Sequence, residues 1–171
     1  MTCFVIEGTK VVPTAEALLI PEMAKVWSQK DKDKALKELA YAVFSHDPRK
    51  ENIYFGQGEE VLRNDFLDGK APNRNVKKAQ EAWKRHIENM SPTFVFLNSS
   101  LKGAHRMADY FNNVDFDERD DNGKPVYKPN DLSIALTRVD SIVENINSLL
   151  DKTRKEISDS SSNKEINPYE Q

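Results

Sequence analysis

The chain has 171 residues, with 25 Lys and Arg against 28 Asp and Glu, a net charge of −3 and a mean hydropathy of −0.70. That balance gives no general attraction to nucleic acid or to an anionic membrane, and no run approaches the roughly 20 apolar residues of a membrane-spanning helix. Cys3 is the only cysteine, which excludes an intrachain disulfide and a zinc cage built of thiolates.

The opening MTCFVIEGTKVV has no basic stretch followed by an apolar core. The expectation is a chain without a secretory signal, made in a reducing cytoplasm. Residues 3–12 read as strand, turn and strand: Phe4, Val5 and Ile6, then Glu7-Gly8-Thr9-Lys10, then Val11 and Val12. Strands this short must dock on helices or pair with another copy. Ile20, Met23, Ala24 and Trp27 share one helix face. Asp31 or Asp33 then caps a helix with the stripe Leu36, Leu39, Ala40 and Val43. His46-Asp47-Pro48 ends it, because Pro48 biases Asp47 away from helical angles.

Residues 49–57 read as an ordered loop with Ile53, Tyr54 and Phe55 tucked onto the helices. A short helix over 59–67 follows, with Leu62 and Phe66 one turn apart, and then a turn at 68–73. Val76, Ala79, Trp83, Ile87 and Met90 define the next helix face. Ser91-Pro92 restarts the chain into a helix carrying Phe94, Leu97, Leu101, Ala104, Ala108 and Phe111. Gly103 costs about 1 kcal/mol relative to Ala inside that helix, so a close helix approach is expected there. Residues 112–130 form a long polar connection, with Asn122-Gly123 as a tight turn.

The last helix carries the strongest pattern. Leu132, Leu136, Val139, Val143, Ile146, Leu150, Thr153 and Ile157 alternate at spacings of four and three, and Ala135, Ile142 and Leu149 add a second row. A face that wide suits packing among several helices better than a two-stranded seam. The helix is expected to run from about Asp131 to Glu156 or Ile157, and a polar segment follows. The expected fold is mainly α: a bundle of four to five helices with a small N-terminal β element. It is expected to occupy 1–157, followed by an extended polar tail over 158–171 anchored by Ile166, Pro168 and Tyr169.

Catalytic and ligand-binding patterns are sparse. His46, His86 and His105 lie on separate elements without metal-ligand spacing. In the acidic run 115–123, placing Gly123 at the sixth position of a calcium loop puts Pro129 where a bidentate Glu is required, so the EF-hand reading fails. There is no phosphate-binding glycine loop and no nucleophile elbow. The expectation is a non-enzyme with no cofactor, no metal and no small-molecule substrate.

One basic stretch stands out: Lys70, Arg74, Lys77, Lys78, Lys84 and Arg85, against the lone acid Glu81. It fits a solvated helix face with a Glu81–Arg85 pair. It also fits docking on the acids Asp115, Asp117, Glu118, Asp120 and Asp121 of a neighbouring copy, or contact with phosphates. With Ile166 and Tyr169 these are the candidate interface residues.

Two blocks carry a resemblance. One is Lys37-Glu38-Leu39-Ala40-Tyr41 running into Ser45-His46-Asp47-Pro48-Arg49-Lys50-Glu51-Asn52. The other is Tyr110-Phe111-Asn112-Asn113-Val114-Asp115, continuing through Glu118-Arg119-Asp120 to Asp121-Asn122-Gly123-Lys124-Pro125-Val126-Tyr127-Lys128-Pro129. The chain resembles small structural proteins of crAss-like and related tailed bacteriophages over residues 10–157. The resemblance implies a virion part, made in the host bacterial cytoplasm: a ring or adaptor protein of the head–tail connector. Its implied partners are copies of itself in a ring, the portal and other neck and tail proteins, with channel DNA a further candidate and no membrane. An internal scaffold, cargo or capsid-associated phage protein is the alternative within that class. A small nucleic-acid-binding regulator is the alternative outside it.

Overall fold

A helix that is apolar around most of its circumference has to be surrounded, and residues 35–44 are such a segment. The computed structural model describes residues 3–127 and 129–162. Among the described residues 64% are helical, in six α-helices rather than the expected four to five, and there is one two-stranded sheet. The elements are β1 (Phe4–Glu7), β2 (Lys10–Pro13), α1 (Pro21–Trp27), α2 (Lys32–Phe44), α3 (Glu59–Leu67), α4 (Arg74–Met90), α5 (Thr93–Asn113) and α6 (Pro129–Ser162), with a single 3-10 turn at Ala17–Leu19. The chain divides into two units, one formed by Met1–Pro92 with Thr153–Gln171 and the other by Thr93–Lys152.

In the first unit, β1 and β2 form an antiparallel hairpin with Ile6 opposite Val11 and Glu7 opposite Lys10. Gly8 supplies the left-handed turn conformation at φ 62°. Alternation sends Phe4 and Val11 inward and leaves Val5 and Val12 exposed. The Thr14 backbone N–H and hydroxyl both donate to the Cys3 carbonyl and tie the base of the hairpin. Phe4 meets Trp83 of α4 edge to face, with ring centroids 4.9 Å apart.

α2 begins as expected: Asp31 Oδ1 accepts from the Lys34 N–H at 3.0 Å. Burial then exceeds the expected stripe. Ala35 and every residue from Glu38 to Phe44 are buried, whereas Leu36 is only half-buried. α1, α3, α4 and β2 all pack on α2. The small side chains Ala35, Ala40 and Ala42 let these neighbours approach closely, and each fully buried Leu, Val or Phe contributes about 1.5–3 kcal/mol. On α1 Met23 is buried as expected, joined by Val26, whereas Ala24 and Trp27 are only half-buried. Trp27 instead lies under the Lys32 ammonium, 4.5 Å from the ring centroid.

The loop after α2 differs from expectation at one residue. Tyr54 is buried and Phe55 half-buried, but Ile53 is 58% exposed. Asn52 is the cause. Its amide donates to the carbonyls of Phe44 and Asp47, and its oxygen accepts from the Tyr54 N–H. Those bonds turn Tyr54 onto Phe44 and Phe66 and leave Ile53 outside. Asp47 is fully buried and forks with Arg49, with Nε 3.0 Å from both carboxylate oxygens and Nη2 2.6 Å from Oδ2. The end of α6 completes the unit. Arg154 Nε donates to the Pro48 carbonyl, the Ser91 hydroxyl to Glu156, and the Ser160 hydroxyl to the Met90 carbonyl. α6 thus continues to Ser162, beyond the expected end at Glu156 or Ile157, so residues 158–162 are helical rather than part of an extended tail.

The second unit is thinly buried. Phe94 and Leu97 are its buried side chains among the described residues. On α5, Leu101, Ala104 and Phe111 are half-buried and Ala108 is exposed. Among the described residues a Cβ added at Gly103 meets nothing within 4 Å, so none of them makes the close approach expected there.

Arg49→Met strands the buried Asp47 carboxylate, to which only the backbone N–H of residue 49 still donates among the described bonds, at 3.0 Å. The expected loss is about 3 kcal/mol. Adding Asp47→Asn removes the stranded charge and should recover most of that loss, as read from urea unfolding midpoints.

Candidate functional site

Two charged surfaces stand out, one in each unit. The first is the outer face of α4. Asp68 (φ 51°) and Gly69 (φ 73°) reverse the chain after α3, and Asn73 Oδ1 then accepts from the Asn75 and Val76 N–H groups to start the helix. Val76, Ala79, Ala82, Trp83 and Ile87 are buried. Helical periodicity therefore puts Arg74, Lys77, Lys78, Lys84 and Arg85 on the opposite side. All are exposed except Lys84, which is half-buried and pairs with Glu88 at 3.6 Å. The expected Glu81–Arg85 pair does not form. An exposed i,i+4 pair is worth only a few tenths of a kcal/mol, which side-chain entropy readily cancels. The outward face therefore carries more unneutralised positive charge than spacing alone predicts.

Lys70 stands in the turn before α4 and lines a groove of about 490 Å³ with Asp31, Lys34, Glu38 and Asn73. Glu38 is 4% exposed and already accepts from Gln29 and Asn73. Its carboxylate secures the cap of α4 to α2 rather than facing a ligand. Close by, the fully buried Tyr41 donates from its hydroxyl to Glu59 Oε1 at 2.7 Å, and Arg63 Nη2 lies 3.0 Å from the same oxygen. Burial first, and then the Glu59 carboxylate, push the Tyr41 pKa up to about 12. The hydrogen bond from Tyr41, with the charges of Arg63 and Lys77, holds Glu59 below the usual carboxylate value.

The second surface closes the connection between α5 and α6. Arg119 bridges antiparallel to Pro125, and Gly123 takes φ 74° at the tight turn. Asp120 Oδ1 accepts from the Asn122 and Lys124 N–H groups, and the Gly123 N–H donates to the Asp120 carbonyl at 2.8 Å. Asp115 Oδ1 accepts from the Asp117 N–H. Behind these turns lie four aromatics. Phe111 touches Tyr110 and Phe116, and Phe116 meets Tyr127 edge to face at 5.8 Å. The Tyr110 hydroxyl beside it raises the Tyr127 pKa. Asp115, Asp117, Glu118, Asp120 and Asp121 are all exposed.

The basic candidates thus share one helix face and its preceding turn, and the acidic candidates share one tip. Ile166 and Tyr169 lie outside the described residues. Other residues escaped the sequence reading. Tyr110, Phe116 and Val126 are exposed apolar side chains among the acids, and no periodicity connects them. Cys3 Sγ sits 3.7 Å from His86 Nε2, and His86 stacks on Trp83. That pair joins positions 83 residues apart, which only tertiary structure can reveal.

Among the described residues no group of three or more His, Cys, Asp or Glu side chains is placed to hold a metal ion. No helix is long and apolar enough to cross a membrane among them. No protein-family model, no curated protein and no solved structure matches this chain.

Because the Tyr41 pKa rises from 10.0 to about 12 on folding, its stabilising contribution is complete below pH 10 and declines as pH rises toward 12. Tyr41→Phe should remove one late-ionising tyrosine from an absorbance titration and flatten the stability loss across that window. At neutral pH it should cost about 1 kcal/mol.

Proposed function

We propose that this chain is a structural component of a tailed-phage virion, a ring or adaptor subunit of the head–tail connector. The observation that carries the reading is the uneven cover of α6. Its apolar stripe is closed at the C-terminal end, where Thr153 is 0% and Ile157 5% exposed. Toward its start Val143 is 50% and Leu136 64% exposed, and Val139, Ile142 and Ile146 nearby are half-buried. A stripe kept apolar over that length and left half open is a surface for other subunits to cover. In this reading a helical bundle is completed by neighbouring copies, and the segment beyond α6 reaches an adjacent subunit or the portal through Ile166 and Tyr169. The protein works in the neck or tail of the virion after synthesis in the host cytoplasm, and it performs no catalysis. The two sequence blocks that resemble crAss-like phage structural proteins add the virion context.

The exposed cations of α4 favour a second reading, a small regulator that binds nucleic acid there. It requires an affinity for DNA that falls steeply with salt, against a chain of net charge −3.

Native mass spectrometry of the full chain should give a discrete ring-sized oligomer. Leu136→Asp with Val143→Asp should return it to the 19.6 kDa monomer. Two carboxylates forced into a subunit contact cost several kcal/mol, which weakens association more than about a hundredfold. Unchanged assembly of the double variant would remove α6 from the contact. A wild-type monomer that binds DNA with a steep salt dependence would favour the regulator.

A further inference from the structure

The tip between α5 and α6 combines two properties that rarely serve a purely solvated loop. Tyr110, Phe116 and Val126 are 55%, 38% and 46% exposed. Around them, among the described residues, stand six exposed carboxylates, Asp109, Asp115, Asp117, Glu118, Asp120 and Asp121, against two cations, Arg119 and Lys124. Arg119 is already engaged, donating to the Gly123 carbonyl at 3.0 Å. An apolar patch with an anionic rim repels nucleic acid and acidic membranes. It suits a partner that brings positive charge on long aliphatic stems, which can lie across aromatic rings while their ends meet the carboxylates.

The chain carries such a surface itself. Residues 70–85 hold six cations and one acid. On α4 the five cations between Arg74 and Arg85 run along one outward face, whose 11-residue separation spans about 16 Å of helix axis. Only Lys84 among them forms an ion pair within the described residues.

We propose that the acidic aromatic tip of one copy docks on the basic outer face of α4 in a second copy. The inference rests on the assembly reading and names the contact through which copies would join. The two surfaces differ, so the contact is heterologous: each copy offers both halves, and repetition yields a ring or an open chain of subunits. The apolar side chains and the aliphatic stems supply the buried area, and the charges set orientation and approach. Rim charges are screened by salt, so assembly weakens as ionic strength rises.

Two reversed variants and their mixture test this contact. One carries Lys77→Glu, Lys78→Glu and Arg85→Glu. The other carries Asp117→Lys, Glu118→Lys and Asp121→Lys, and spares Asp120, whose side chain builds the turn. All six positions are exposed, and circular dichroism verifies folding. In native mass spectrometry at low salt the wild-type chain should form oligomers. Each variant alone should associate at least about tenfold more weakly, equivalent to about 1.4 kcal/mol. An equal mixture should restore oligomers in which the two variants alternate, because every contact then pairs opposite charges. Variants that assemble as well as the wild type would overturn this contact and leave the assembly reading standing. Loss in both variants without rescue in the mixture would also overturn it, since the two surfaces would then not meet between copies. A wild-type chain that stays monomeric at low salt would overturn the contact together with self-driven assembly.

Discussion

Enclosing α2 is the constraint on which the first unit depends. Its buried residues run without a break from Glu38 to Phe44, so neighbours must cover it on nearly every side. Two of those residues are polar, and a buried polar group without a partner costs more than a hydrogen bond returns. Glu38 is satisfied by Gln29, just after α1, and by Asn73, the cap of α4. Tyr41 is satisfied by Glu59, the first residue of α3. Apolar burial gathers the helices around α2, and these few polar groups help select their register. The hairpin reaches the same core through Phe4 on Trp83.

The second unit has a different economy. It contains long helical segments with wide apolar rows, yet Phe94 and Leu97 are its buried residues among those described. Small units bury too little surface to offset the entropy of ordering the chain. Helices of this length with half-open faces gain most of their stability when something covers them. The assembly reading supplies that cover from other subunits, and it gives a common role to the open row on α6 and the aromatic tip.

Much of the fold was legible in the sequence because the signals were local. The hairpin, the Asp31 cap, Leu62 with Phe66, the inward face of α4 and the Asn122-Gly123 turn each rest on side chains within a few residues of one another. The reading fell short where burial and particular side-chain bonds decide. His46-Asp47-Pro48 read as a stop, but nothing in the tripeptide says that Asp47 becomes fully buried and forks with Arg49. Ile53, Tyr54 and Phe55 are equally apolar in the sequence, and the bonds of Asn52 choose which of them turns in. Periodicity marks one face of α6 as apolar without saying how much of it is covered. The charges of the candidate surfaces were legible from composition alone. The ring cluster at the tip was not, because Phe111, Phe116 and Tyr127 meet only once the turns close.

The turn at the tip also bears on how the molecule ages. An exposed Asn followed by Gly is prone to lose its side-chain amide when the next backbone nitrogen attacks it and closes a succinimide ring. Here that nitrogen belongs to Gly123, and its N–H is directed to the Asp120 carbonyl at 2.8 Å. The fold of the turn thus holds the attacking atom in another bond and slows the chemistry of its own sequence. Opening the turn frees that nitrogen, and the resulting aspartate or isoaspartate adds a carboxylate to a surface already crowded with them. Storage under denaturing conditions therefore shifts the charge of the tip, whereas storage of the folded chain tends to preserve it.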